Sequence, residues 1–153
     1  MTHLIFSIRQ DKKASRIEAN KRVGIWVDSK KAFTVSIAQN DPAFDSKPKV
    51  SLRRIDSGLE ASTRLFPESV FDLRIDLMRR RKLHKYYREI IGSVQDAEKI
   101  LIFGPGRAKL ELEKAFRKSD RGESRVLPVE ASEKITEGQI KTRVLEFFKS
   151  DLK

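Results

Sequence analysis

The chain has 153 residues, no cysteine and two histidines, and its 33 basic side chains outnumber its 22 acidic ones, giving a net charge of +11. This composition indicates one charge-rich domain with a core, excludes disulfides, thiol catalysis and cysteine-ligated zinc, and gives no reason to expect a cofactor or metal. The excess positive charge favours nucleic acid as the partner over the alternative of a merely soluble basic protein.

Residues 1–21 are predicted to be a basic arm that precedes a single α/β domain at residues 22–153. The arm carries five basic and two acidic side chains. It either becomes ordered on a partner or is a solvated tail. Its apolar run at residues 4–6 is too short for a signal sequence, and no later run is long enough to cross a membrane, so we expect a cytoplasmic protein without membrane contact.

Three antiparallel strands are predicted next, over residues 23–28, 32–38 and 49–55. Apolar, β-branched and aromatic residues dominate the first two, and in the third apolar residues alternate imperfectly with polar ones. The first two are close enough for a hairpin.

Asp28, at the end of the first strand, has two possible roles. It either caps the following turn or binds metal, as a first-strand acid does in ribonuclease-H-like nucleases, with Glu89 as a possible second acid. Two-metal chemistry needs several converging carboxylates, and the predicted fourth strand ends without one. We therefore expect Asp28 to cap the turn.

A loop at residues 56–69 leads into a long amphipathic helix that begins near Val70. Loops of this length in compact domains are usually functional or mobile. Seven basic residues and one acidic residue between positions 74 and 88 give the polar side of the helix a net charge of +6. Such a density of positive charge repels itself unless an anion neutralises it. The candidate nucleic-acid-binding residues are Arg74, Arg79, Arg80, Arg81, Lys82, Lys85 and Arg88.

Tyr86 and Tyr87 lie within this helix and have two interpretations. They could stack on unpaired bases, or they could belong to the core. Their positions fit the apolar stripe of the helix, which favours the core.

A glycine turn, Gly104-Pro105-Gly106, separates a buried strand at residues 99–103 from a helix at residues 107–118. Free N–H groups at a helix start favour anions, and nearby basic side chains would strengthen this preference. The predicted anion-binding turn comprises Gly104, Gly106, Arg107 and Lys109. The turn matches no complete nucleotide-binding motif, and a tight strand-to-helix connection is the alternative.

A final strand is predicted at residues 125–129 and a final helix at residues 136–152. The order β-β-β-α-β-α-β-α then specifies an α/β fold in which helices cover a mixed five-stranded sheet. Because crossovers between parallel strands are right-handed, the ribonuclease-H-like fold is the expected arrangement.

Three stretches carry a resemblance to a known family: VGIWVDSKKAFTVSI, RRKLHKYYREIIGSVQDAEKILIFGPGRAKLELEKAF and ITEGQIKTRVLEFF. They resemble the middle domain of class 1 eukaryotic and archaeal peptide-release factors. The likeness is closer still to small bacterial proteins related to that domain, often labelled translational machinery proteins. It covers residues 23–148 and is best over residues 79–116.

In release factors, a Gly-Gly-Gln loop before the long helix promotes peptidyl-tRNA hydrolysis. The corresponding residues 56–69 contain Gly58 but neither glutamine nor paired glycines, and Gly138-Gln139 lies far downstream. The resemblance therefore implies docking to ribosomal RNA or tRNA, with the ribosome as a candidate partner, without that catalysis.

A non-catalytic, translation-associated RNA-binding module is thus the leading hypothesis. The alternatives are a hydrolase acting on phosphodiesters or peptidyl-tRNA, and a protein-interaction module that uses the loop at residues 56–69.

Overall fold

A computed structural model describes residues 21–38, 48–59, 72–119 and 125–149 of the chain. Within these residues one mixed sheet has the strand order β3-β2-β1-β4-β5. Its strands are β1 (Lys21–Val27), β2 (Lys31–Ala38), β3 (Lys49–Asp56), β4 (Lys99–Gly104) and β5 (Glu130–Ala131). The helices whose bounds the structure describes are α1 (Asp72–Ser93), α2 (Ala108–Lys118) and α3 (Glu137–Phe147). The predicted α/β class and ribonuclease-H-like mixed sheet are confirmed, and the described elements follow the predicted order.

Two predicted features lie largely outside the described residues. The basic arm falls there apart from its last residue, Lys21, which begins β1. Of the predicted loop at residues 56–69, only residues 56–59 are described. No helix in the described ranges is long and apolar enough to span a bilayer.

The pairing of β1 with both of its neighbours brings two turns to the same edge of the sheet. β1 pairs antiparallel with β2, from Lys21 opposite Ala38 to Val27 opposite Ala32, which confirms the predicted hairpin. Its other neighbour, β4, is parallel. Because parallel strands end at the same edge of a sheet, the turn after β1 and the glycine turn after β4 lie side by side.

Each face of the sheet carries its own hydrophobic core. Alternate β1 residues, Val23, Ile25 and Val27, pack with α1 and α2 on one face. On the other face, Trp26 packs with α3. A Cβ at Gly24 would lie 2.3 Å from Val144 Cγ2, so α3 packs almost directly on the β1 backbone.

The position predicted for the last strand was wrong. Residues 125–129 contribute only one parallel bridge, between Val126 and Ile100, and the ladder with β4 resumes at Glu130 and Ala131. Pro128 lies in the gap and has no N–H group to donate, which explains why pairing is interrupted there.

A capping box begins α3. The Thr136 hydroxyl accepts a hydrogen bond from the Gln139 backbone N–H at 3.2 Å, and the Gln139 side chain accepts one from the Thr136 N–H at 2.8 Å. This reciprocal pair satisfies two donors at the start of the helix. The Gly138-Gln139 pair therefore has a structural role at a helix end.

Candidate nucleic-acid interface

A cleft of about 460 Å³ opens at the sheet edge where β1 and β4 both end. We call it the sheet-edge cleft. Among the described residues, its charged lining comprises four cations, Lys30, Arg79, Arg107 and Lys134, and two acids, Asp28 and Glu111. The cleft therefore joins parts of the chain that are distant in sequence, and its cations outnumber its carboxylates.

Asp28 holds the turn after β1 in place. Its Oδ1 accepts hydrogen bonds from the backbone N–H groups of Lys30 and Lys31, both at 2.8 Å, which confirms the predicted capping role. The Tyr86 hydroxyl donates to the Asp28 carbonyl oxygen at 2.9 Å and so ties this turn to α1. In the part of the chain that the structure describes, no group of three or more His, Cys, Asp or Glu side chains is placed to hold a metal ion.

The glycine turn contributes its second half to the cleft. Gly106 is exposed at φ +66° and, with Arg107, lines the cleft. Gly104 instead is buried, and a Cβ there would lie 2.2 Å from the Val27 carbonyl oxygen. Lys109 donates from Nζ to the Gly106 carbonyl oxygen and so closes the turn. Of the four predicted turn residues, Gly106 and Arg107 line the cleft, and the other two shape the turn.

Among the α1 residues whose burial the structure describes, the fully buried ones lie in the C-terminal half of the helix. Tyr86, Tyr87 and Ile90 are buried, whereas side chains from Arg74 to Arg81 are exposed or half-buried. The structure thus confirms that the tyrosines belong to the core, which removes them as candidates for base stacking.

The basic residues of α1 surround the exposed part of the helix and are not confined to a single stripe. Arg79 lines the sheet-edge cleft, Arg80 and Arg88 line a groove toward α2, and Lys82 lies beside Gly58 at the end of β3. Within the described residues, none of the seven predicted cations forms an ion pair with a carboxylate. Their positive charge is therefore open to solvent and to an anionic partner.

The groove between α1 and α2, about 690 Å³ in volume, is a second basic surface, which we call the helix groove. Its cationic lining comprises Arg80, Arg88, Lys114 and Lys118, and His84 lies among them. Leu83 and Glu111 line both the helix groove and the sheet-edge cleft, so the two depressions adjoin.

One hydrogen bond links the core to the boundary between the helix groove and the sheet-edge cleft. The Tyr87 hydroxyl donates to Glu111 Oε1 at 2.7 Å. Burial, and secondarily this hydrogen bond, raises the pKa of Tyr87 far above its ordinary value. Burial, and then the nearby Asp28 charge, does the same to the pKa of Tyr86. Both hydroxyls therefore remain protonated donors at neutral pH.

The sequence prediction missed four lining cations. Lys30 follows the end of β1, in the turn that Asp28 was expected to cap, and this placement was a usable signal for its position. Lys114 and Lys118 are four residues apart on α2, a spacing that places them on one helix face. Lys134 gave no such signal, because its position depends on the irregular path of the chain after β5.

Solved structures similar to this chain include two archaeal proteins. Pelota from Archaeoglobus fulgidus is 11% identical, with a TM-score of 0.49, and the match covers 97% of this chain and 36% of Pelota. The archaeal translation termination factor aRF1 is 15% identical, with a TM-score of 0.46, and the match covers 89% of this chain and 42% of aRF1. The chain thus spans less than half the length of either protein. No protein-family model and no curated protein matches the sequence.

Proposed function

We propose that this protein is a non-catalytic RNA-binding module that acts in translation and docks on ribosomal RNA or tRNA. The observation that carries the proposal is the set of seven α1 cations, which form no ion pair within the described part of the chain and continue into the cation-lined sheet-edge cleft. Guanidinium and ammonium groups in such an arrangement can bind phosphate oxygens through charge-assisted hydrogen bonds.

The charge is distributed unequally between the two faces of the sheet, which supports a directed interface. Net charge is +4 over α1 and +2 over α2, whereas α3, on the opposite face, has two basic and two acidic residues. A one-sided positive field orients the protein as it approaches a polyanion and speeds association. The α1 and α2 side is therefore the proposed docking side.

The translational setting rests on the resemblance of the sequence to release-factor middle domains. The non-catalytic role rests on differences from that family. Residues 56–69 lack the Gly-Gly-Gln sequence, and Gln139 caps α3. Asp28 uses a carboxylate oxygen to hold two backbone N–H groups. These residues support binding in place of hydrolysis.

The test is RNA binding by the double variant Arg79→Glu plus Arg81→Glu, measured by fluorescence anisotropy with a labelled ribosomal RNA fragment. Both side chains are exposed, so the fold should be retained. We expect affinity to fall roughly tenfold or more and the salt dependence of binding to become shallower, because phosphate contacts are lost. Circular dichroism checks that the variant is folded.

The matched control is Lys141→Glu plus Lys149→Glu, which changes net charge equally on the α3 side. Both lysines are exposed. Affinity close to that of the unaltered protein is expected for this control. Unchanged RNA affinity in the α1 variant would reject the proposed function.

A further inference from the structure

We infer that the helix groove is a binding site for an unpaired RNA strand whose backbone continues from the groove into the sheet-edge cleft. This inference rests on the proposed function and adds to it the class of RNA and a second helix that binds it. The inference depends on basic residues of both α1 and α2, whereas the proposed function depends on those of α1.

The groove combines charge and apolar surface in the way an unpaired strand requires. Its permanent cations come from both helices, two arginines from α1 and two lysines from α2. Leu83 and Ala115, both half-buried, supply apolar lining between them. Phosphates can contact the cations while the bases and riboses cover the apolar lining.

The apolar lining of the groove favours an unpaired strand over a duplex, because only unpaired bases are free to leave their stack and lie on protein side chains. A duplex would contact only the cations and leave Leu83 and Ala115 uncovered. The apolar lining therefore gains a partner only when the RNA is unpaired.

Among the described residues that line the groove, Glu111 is the one carboxylate, and it lies at the boundary with the sheet-edge cleft. The Tyr87 hydroxyl already donates to this carboxylate, which offsets part of its repulsion of phosphate. Its remaining acceptor capacity suits a ribose hydroxyl or a base amino group. At this point the strand would therefore present a donor to the protein.

The two basic surfaces form one path. Leu83 and Glu111 belong to both depressions, and beyond them Arg79, Arg107 and Lys134 line the cleft. A strand lying over the groove would thus meet cations from three separate parts of the chain. Because the two depressions are continuous, we expect the RNA backbone to run from the groove into the cleft.

The test compares Lys114→Glu plus Lys118→Glu with the unaltered full chain. The probes are a fluorescein-labelled unstructured RNA of about 12 nucleotides, within the site sizes known for single-strand grooves, and an RNA duplex of equal charge. We expect the unaltered protein to prefer the unpaired probe. In the variant, affinity for that probe should fall roughly tenfold, and its salt slope by about 1.4, since each single-strand phosphate contact contributes about 0.7.

The variants of the two helices separate the inference from the proposed function. Loss of binding in Arg79→Glu plus Arg81→Glu, with unchanged binding in the α2 variant, would overturn the groove and leave the proposed function standing. Unchanged binding in both would reject both. The inference about the groove would also be overturned if the unaltered protein preferred the duplex probe. It would be overturned as well if Lys141→Glu plus Lys149→Glu lost as much affinity for the unpaired probe as the α2 variant does. If the α2 variant does not fold, Lys114→Gln plus Lys118→Gln provides the same comparison.

Discussion

At the residue scale, the two glycines after β4 differ in what they contribute. At Gly104, φ is +152° and a Cβ would lie 2.2 Å from the Val27 carbonyl oxygen. At Gly106, φ is +66° and no atom of the described residues would lie within 4 Å of a Cβ, so only the backbone conformation opposes a side chain. Gly104 therefore brings β4 close to β1, whereas Gly106 only allows the chain to turn.

We expect Gly104→Ala to lower the free energy of unfolding by about 3 kcal/mol or more, because the backbone clash adds to the unfavourable φ. Gly106→Ala should cost only about 1–2 kcal/mol, the usual penalty of a left-handed residue. Urea denaturation of both variants measures the difference. Equal losses would show that the close approach at Gly104 is not the cause.

The buried tyrosines predict a loss of stability at alkaline pH. Tyr86 and Tyr87 are 1% and 7% exposed, and burial is the first cause of the raised pKa of each. In the unfolded chain a tyrosine has a pKa of about 10. Above that pH the folded state therefore retains protons that the unfolded state has lost, so the free energy of unfolding falls as pH rises, by about 1.4 kcal/mol per pH unit for each tyrosine.

Tyr87→Phe should remove about half of this tyrosine contribution, because one of the two hydroxyls is lost. Urea denaturation at a series of pH values from about 8 to about 11 measures the slope in both proteins, and lysine titration is common to them. If the free energy of unfolding fell equally steeply with pH in both proteins above about pH 10, this explanation of the alkaline loss of stability would be contradicted.

At the element scale, the sequence predicted the strands and helices with the clearest apolar patterns. β1, β2 and β4 were found because each has a dense run of apolar or β-branched residues, and β3 was found because apolar and polar residues alternate, imperfectly, along it. β5 was misplaced because only two residues pair, Glu130 and Ala131, and neither has a strong strand preference. These two residues pair because they lie beside β4 in the fold, and the local sequence does not indicate that proximity.

The candidate site was predictable to a similar degree. The composition of α1 identified its cations, and the glycines identified the turn that faces them. The division of those cations among cleft, groove and exposed surface depends on the angle at which α1 packs on the sheet. That angle arises from contacts such as the hydrogen bond from Tyr86 to the Asp28 carbonyl, between residues 58 positions apart in sequence.

The capping box of α3 gives a prediction at the same scale. Thr136→Ala removes the hydroxyl that accepts from the Gln139 N–H, so the free energy of unfolding should fall by about 1 kcal/mol. Thr136→Ser retains an acceptor and serves as the control. Thermal or urea denaturation measures the change, and RNA affinity should be unaffected, because α3 lies on the face opposite the proposed interface. An alanine variant as stable as the unaltered protein would contradict this role of the cap.

At the scale of the whole molecule, the helices on the two faces of the sheet differ in charge, since α1 and α2 are basic and α3 has equal numbers of basic and acidic residues. α1 and α2 lie on one face and α3 on the other. Hydrophobic packing uses both faces of the sheet, so stability does not require this asymmetry of charge. Concentrated like charges instead oppose one another unless a partner neutralises them. Binding to a polyanion, as in the proposed function, would neutralise the charges of α1 and α2.

The most direct test of the central claim is co-sedimentation of the full chain with purified ribosomes across a range of salt concentrations, beside the Arg79→Glu plus Arg81→Glu variant. The account predicts that the unaltered protein pellets with ribosomes at low salt and is released at high salt, because electrostatic contacts with phosphate weaken as salt rises. The variant should remain in the supernatant. Protein that stays free at every salt concentration, or a variant that pellets as fully as the unaltered chain, would contradict ribosomal RNA docking through α1.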